Sequence, residues 1–202
     1  SLKNNYNYLL IAPVNMFSKF KALIDIEAEN ARKGLPSGII AKMNNMEEND
    51  ISIALYNASQ CGVGIDLLVR GFCCLRPGVP GLSEKIRVLS TIGRFLEHSR
   101  IFYFRHGAED PLDGLFFIGS ADWMYRNLHS RVEAVVPILD RSLREKIWEI
   151  LQLMLKDQRQ TWEMNSEGQY KQRSTDATSD AGVQQLLMQL ALQRNTLQED
   201  NS

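Results

Sequence analysis

Short apolar runs alternate along this chain with longer stretches in which apolar residues return every third or fourth position, the signatures of buried strands and half-buried helices. The run YLLIAPV reads as a strand, and residues 16–33, with Phe20, Leu23, Ile24 and Ile26 on helical spacing ahead of Gly34, read as a helix. The unit then repeats: SGIIAKM is a strand, 47–61 a helix stopped at Gly62, and GIDLLVRG a strand buried on both faces. Two such crossovers imply parallel pairing. Further on, RIFYF and LFFIG flank the turn-rich loop RHGAEDPLDG, which suits an antiparallel pair, and RVEAVVPI adds another strand. A long amphipathic helix is expected from Ser142 to Trp162, with Leu143, Ile147, Ile150, Leu151 and Leu155 on one stripe capping the sheet. The pattern predicts an α/β fold with a mixed sheet flanked by helices.

After Trp162 the pattern breaks. NSEGQYKQRSTDATSDAG is polar and short of large aliphatics, so it reads as a linker, and VQQLLMQLALQ reads either as a terminal helix docking on a partner or as a loose tail. This gives one main domain over 1–162 and a linker with tail over 163–202.

Composition adds mostly exclusions. The 202 residues carry a formal net charge of -1, which provides no global attraction to nucleic acid or to an anionic membrane; an anionic ligand has to be met by local arginines. Cys61, Cys73 and Cys74 are odd in number and lack metal-ligand spacing, as expected of a reduced, cytoplasmic protein. No apolar run is long enough for a transmembrane segment, and YLLIAPV lacks the basic flank of a signal peptide.

The chemically suggestive residues fall at strand ends, where open α/β sheets bind ligands. Arg70 closes IDLLVRG beside Gly71, Lys42 closes IIAKM, and Ser120 and Asp122 follow FFIG. An arginine there suits a phosphate through its planar fork, although an arginine paired with a carboxylate would look the same. His98, in GRFLEHSRIFYF, is flanked by Glu97 and Arg100; it reads as an active-site histidine or simply as the end of a helix. The arginines between Arg70 and Arg131 come without the aromatic motifs of an RNA-binding sheet, so phosphates fit better than bases.

IAKMN, ALYNASQCGVGIDLLVRGFCCL, GRFLEHSRIFYF and IGSADWMYRNLHSRVEAVVPI together resemble the C-terminal domain of bacterial polyphosphate kinase of the first type, over about residues 8–162, with a similar tail. The resemblance implies a phospholipase D-like half and reversible transfer of the terminal phosphate of ATP to polyphosphate through a phosphohistidine. That histidine belongs to a preceding half, which this sequence does not contain; YLLIAPVNMF, within residues 1–14, looks like its closing strand. The resemblance makes Arg70 a nucleotide phosphate ligand and His98 the second, non-phosphorylated active-site histidine. Lys42, Arg100, Ser120, Asp122 and Arg126 become second-rank candidates for lining the polyphosphate path or orienting His98. It also implies Mg2+ bound mainly through ATP phosphates and the preceding half, with no metal residue here, and a homo-oligomer for the full-length enzyme. By itself this chain is expected to be inactive. Two other classes remain open: a phospholipase D-like phosphodiesterase and a non-catalytic nucleotide- or polyphosphate-binding module. The first is weakened because the superfamily's H-x-K-x4-D motif carries Arg100 and Arg105 in its lysine and aspartate positions.

Overall fold

A computed structural model describes residues 8–173 and 181–199. Strand β2 (Ile39–Met43) lies mid-sheet, parallel to β3 (Ile65–Val69) and antiparallel to β5 (Arg100–Phe104). On the parallel side β4 (Ile86–Thr91) follows β3, and β8 (Thr161–Met164) and β9 (Tyr170–Gln172) finish that edge. On the other side β6 (Leu115–Gly119), β7 (Glu133–Pro137) and β1 (Leu10–Ala12) continue beyond β5, giving the order β1-β7-β6-β5-β2-β3-β4-β8-β9.

The helices divide between the two faces according to strand alternation. Ile39, Ala41 and Met43 of β2, with Phe102 and Phe104 of β5, pack under Phe20 and Ile24 of α1 (Met16–Arg32) and Ile51 and Leu55 of α2 (Asn49–Gln60). Ile40, Leu68, Leu89, Ile101 and Tyr103 form a second core with Leu151 and Met154 of α3 (Arg141–Lys156) and Val183 of α4 (Val183–Glu199). The same alternation carries two charged residues to one end of the sheet on opposite faces. Lys42 shares the parity of Ile40, and Arg100 that of Phe102, while the register sets Lys42 opposite Ile101.

Four expectations need correction. The helix predicted to reach Trp162 stops at Lys156, because the buried Asp157 carboxylate accepts from the Gln160 N–H at 2.8 Å and the Val183 N–H at 3.0 Å and so turns the chain. Thr161–Met164 then pairs with β4, and Tyr170–Gln172 returns along it, so the start of the supposed linker is a hairpin on the sheet edge. β4 itself was absent from the expected strands. Finally, β1 does not pair with β2: it binds the far side of β7, antiparallel, and so is seated on this sheet. The linker expectation over 174–180 lies outside the described residues, as do residues 1–7 and 200–202. The terminal helix exists and docks on its own chain: Val183 is buried and Arg194 pairs with Glu149 of α3.

At the other end of the sheet, the fully buried Glu27 of α1 accepts the Gly38 N–H at 2.9 Å and the His106 N–H at 2.5 Å. Burial pushes its carboxyl up from the ordinary 4.5, opposed only in part by those bonds and by Arg105. The folded state therefore keeps this proton to a higher pH than the unfolded chain, and the associated stability falls as pH rises from about 4.5 through the raised value. Glu27→Gln should remove that contribution: the Tm of the wild type minus that of the variant should decline as pH is raised from about 4 toward neutrality. Parallel Tm profiles would contradict it.

Candidate functional site

The carboxyl ends of β2, β3 and β6 and the amino end of β5 converge, so residues distant in sequence meet there. Asn44 follows β2, Arg70 follows β3, Asp122 lies just past β6, and Arg100 opens β5. They form one hydrogen-bonded row. Arg70 Nε donates to Asn44 Oδ1 at 2.8 Å, and the Asn44 N–H donates to Asp122 Oδ1 at 2.8 Å. Arg100 Nε donates to the same Asp122 oxygen at 3.0 Å, while its Nη1 lies 3.1 Å from His98 Nδ1 and donates to the His98 carbonyl at 3.0 Å. A guanidinium offers donors only, so Nδ1 is the acceptor in this contact and the ring proton sits on Nε2. No helix ends at His98; it lies exposed in the irregular segment between β4 and β5.

Lys42 approaches His98 from the other face. Its buried ammonium is 3.2 Å from Glu97 Oε2 and donates to Ser99 Oγ at 2.9 Å and to the Ser99 carbonyl at 3.2 Å, so it braces both neighbours of His98. Burial pushes the Lys42 pKa below its ordinary value, with Glu97 opposing. Arg70 is half-buried at the mouth of a cavity of about 260 Å³ walled by Ile92, Trp162 and Tyr170. Gly71 beside it has to be a glycine: a Cβ would run into the Asn45 side chain and lie 2.9 Å from the Asn44 carbonyl.

The remaining candidates sit apart from this row. Ser120 is bonded to the Glu133 carboxylate and accepts the Ala134 N–H at 3.2 Å, which ties it to β7. Arg126 is exposed on the π-helical turn Arg126–Ser130. Sequence reading passed over Asn44, which joins Arg70 to Asp122, and Asn45, whose Oδ1 accepts the Phe72 N–H at 3.1 Å beneath Gly71. The NN that follows IIAKM was the available signal: two short amides at a strand's carboxyl end can accept from donors of neighbouring loops, here the Arg70 guanidinium and the Phe72 N–H.

Comparison with known proteins supplies the context. The family model described as polyphosphate kinase C-terminal domain 2 matches residues 9–184. A polyphosphate kinase of Thermosynechococcus vestitus is 50% identical over 187 residues, which is 92% of this chain and 25% of that protein. One from Bacillus anthracis is 42% identical over 95% of this chain and 27% of its own length. The chain thus spans about a quarter of the curated relatives it matches. The crystal structure of polyphosphate kinase from Porphyromonas gingivalis superposes with a TM-score of 0.89 at 34% identity, over 96% of this chain and 29% of that one. The phospholipase D family member Nuc of Salmonella typhimurium shares the fold, with a TM-score of 0.56 at 15% identity over 78% of this chain and 97% of its own.

The row depends on a buried charge pair, and breaking such a pair from one side leaves the other charge uncompensated. Asp122→Ala and Asp122→Asn both remove the charge that faces Arg100, so each should cost roughly 3 kcal/mol in denaturant titration. A loss in Asp122→Ala with almost none in Asp122→Asn, or no loss in either, would show that the carboxylate charge does not hold this end of the sheet together.

Proposed function

The chain belongs to the polyphosphate kinase family, as a C-terminal domain 2, and from that premise we propose that it forms one wall of an active site moving the terminal phosphate of ATP reversibly to polyphosphate. The observation that supports this reading is the unbroken row from Arg70 to His98, which sets a guanidinium and an imidazole at one end of the sheet.

In the proposed reaction a histidine from the segment preceding this domain in the longer relatives attacks the γ-phosphorus. A P–N bond forms as the P–O bond to ADP breaks; the terminal oxygen of polyphosphate then attacks the same phosphorus, breaking P–N. Such transfers demand little of the protein beyond positioning and charge stabilisation. The departing oxygen of a phosphoanhydride is weakly basic, and an imidazole whose Nδ1 accepts from Arg100 has a single proton, on Nε2, which it shares in a hydrogen bond without transferring it. His98 therefore acts by a hydrogen bond from Nε2–H to that oxygen as charge develops on it. Arg70 commits Nε to Asn44 and keeps its Nη groups for a phosphate. Arg100 orients His98, and Asp122 and Lys42 hold the supports.

The reading brings with it ATP/ADP and polyphosphate as ligands, the preceding half as partner, self-association of the longer enzyme, a cytoplasmic setting and Mg2+ carried with ATP. Among the described residues, the side chains around this site do not fit that ion. Asp122 is occupied by Arg100 and Asn44, Glu97 by Lys42, and among the described residues no cluster of three or more His, Cys, Asp or Glu side chains is placed to hold a metal. Among the described residues no helix is long and apolar enough to cross a membrane.

In a polyphosphate kinase chain carrying this domain, His98→Ala should lower turnover by about 10²–10³, the usual effect of deleting one charge-stabilising donor, with an unchanged melting profile. Arg70→Lys should keep the charge, lose the fork and weaken ATP binding in direct titration. Full turnover by a well-folded His98→Ala protein would overturn the proposed role.

A further inference from the structure

His98 sits on a segment with little to hold it. From Ile92 to Ser99 every residue is exposed except Glu97, which is half-buried, so apolar burial restrains this loop weakly. What fixes it is polar, and much of it comes from the far end of the chain. Gln184, in the first turn of α4 and 4% exposed, accepts the Phe95 N–H on Oε1 at 2.9 Å. Its Nε2 donates to the Phe95 carbonyl and to Glu97 Oε1, both at 2.8 Å. The amide thus grips the Phe95 backbone on both sides, as a neighbouring strand would, and passes the restraint to Glu97. The other Glu97 oxygen faces Lys42, which in turn holds Ser99. Both neighbours of His98 are therefore fixed through connected bonds.

Gln184 is itself well anchored. The Val183 N–H is bonded to Asp157 Oδ1 at 3.0 Å and the Gln184 N–H to Gln160 Oε1 at 3.1 Å, while Val183 is fully buried. Gly93 completes the fit, since a Cβ there would lie 2.5 Å from Gln184 Oε1 and crowd Gln160 as well.

We propose that Gln184 is a positioning residue for His98: docking of the α4 amino end fixes the Ile92–Ser99 loop, and through Glu97 and Lys42 it sets the imidazole where the reaction needs it. The proposal rests on the functional reading above for its consequence in turnover, but the latch itself is a structural claim.

The test uses Gln184→Met, which keeps the buried volume and deletes all three side-chain bonds to the loop, in a polyphosphate kinase chain carrying this domain. Amide exchange across residues 93–99 should quicken by about tenfold or more, with strand amides and Tm little changed. Turnover should fall by about tenfold while the KM for ATP moves less than about twofold. In a His98→Ala background the same substitution should cause almost no further loss, because it acts through that histidine. Unchanged exchange at 93–99 would overturn the latch. Faster exchange with full turnover, or an equal further loss in the His98→Ala background, would overturn the positioning role. If His98→Ala alone retains full turnover, the functional reading fails, and the exchange comparison still decides whether Gln184 holds the loop.

Discussion

Asp122 places a carboxylate oxygen almost out of contact with water and satisfies it with two donors from different parts of the chain, the Asn44 N–H and the Arg100 guanidinium. A buried carboxylate is tolerable only when its charge and lone pairs are met, and here both partners are drawn to one point. Everything at this end of the sheet follows from that requirement. Asn44, held by its backbone, turns its side chain to Arg70; Arg100, held by Nε, has Nη1 left for His98. The network sets the protonation pattern too, since an imidazole that accepts from a guanidinium carries its proton on the opposite nitrogen.

The support for His98 comes from two layers. Arg100 reaches it from the α1/α2 face and Lys42 braces its neighbours from the α3/α4 face, a division set by the strict alternation of β2 and β5. Such an arrangement ties the helical layers to one imidazole. It also explains how the last helix of the described chain can matter to a residue 86 positions earlier: through Gln184, α4 grips the loop that Lys42 braces from below.

Much of this fold was legible because its buried strands carry uninterrupted apolar runs and its first helices carry clear stripes. β2, β3, β5, β6, α1 and α2 fall close to where their patterns place them. β4 was hidden: IRVLST has an exposed arginine at its second position, paired across to Asp66, and it follows a loop rich in proline and glycine. β8 was absorbed into the preceding helix because Trp162 continues the helical spacing; only the Asp157 turn, a long-range contact with Val183, breaks it. The same limit applies to the site. Arg70, His98, Arg100 and Asp122 stand at strand ends, where position alone marks them, whereas Asn44, Glu97 and Gln184 act through partners 26 to 89 residues away. Polar side chains of that kind leave no period in a sequence. Ser120 looked equivalent to Asp122 by position, but it stands one residue past the end of β6 and Asp122 three, and its side chain turns to β7; Arg126, seven residues past that end, was a candidate through the resemblance alone.

On the proposed reading this domain would stabilise and position phosphate without supplying the nucleophile. The most direct measurement is incubation with γ-labelled ATP and magnesium, for residues 1–202 alone and for a polyphosphate kinase chain that also carries the preceding segment, followed by acid and alkali treatment of any labelled protein. The predicted result is no label on residues 1–202 alone, and an acid-labile, alkali-stable label in the longer chain on a histidine outside this span, diminished when His98 or Arg70 is replaced. A phosphohistidine on His98 itself would contradict it.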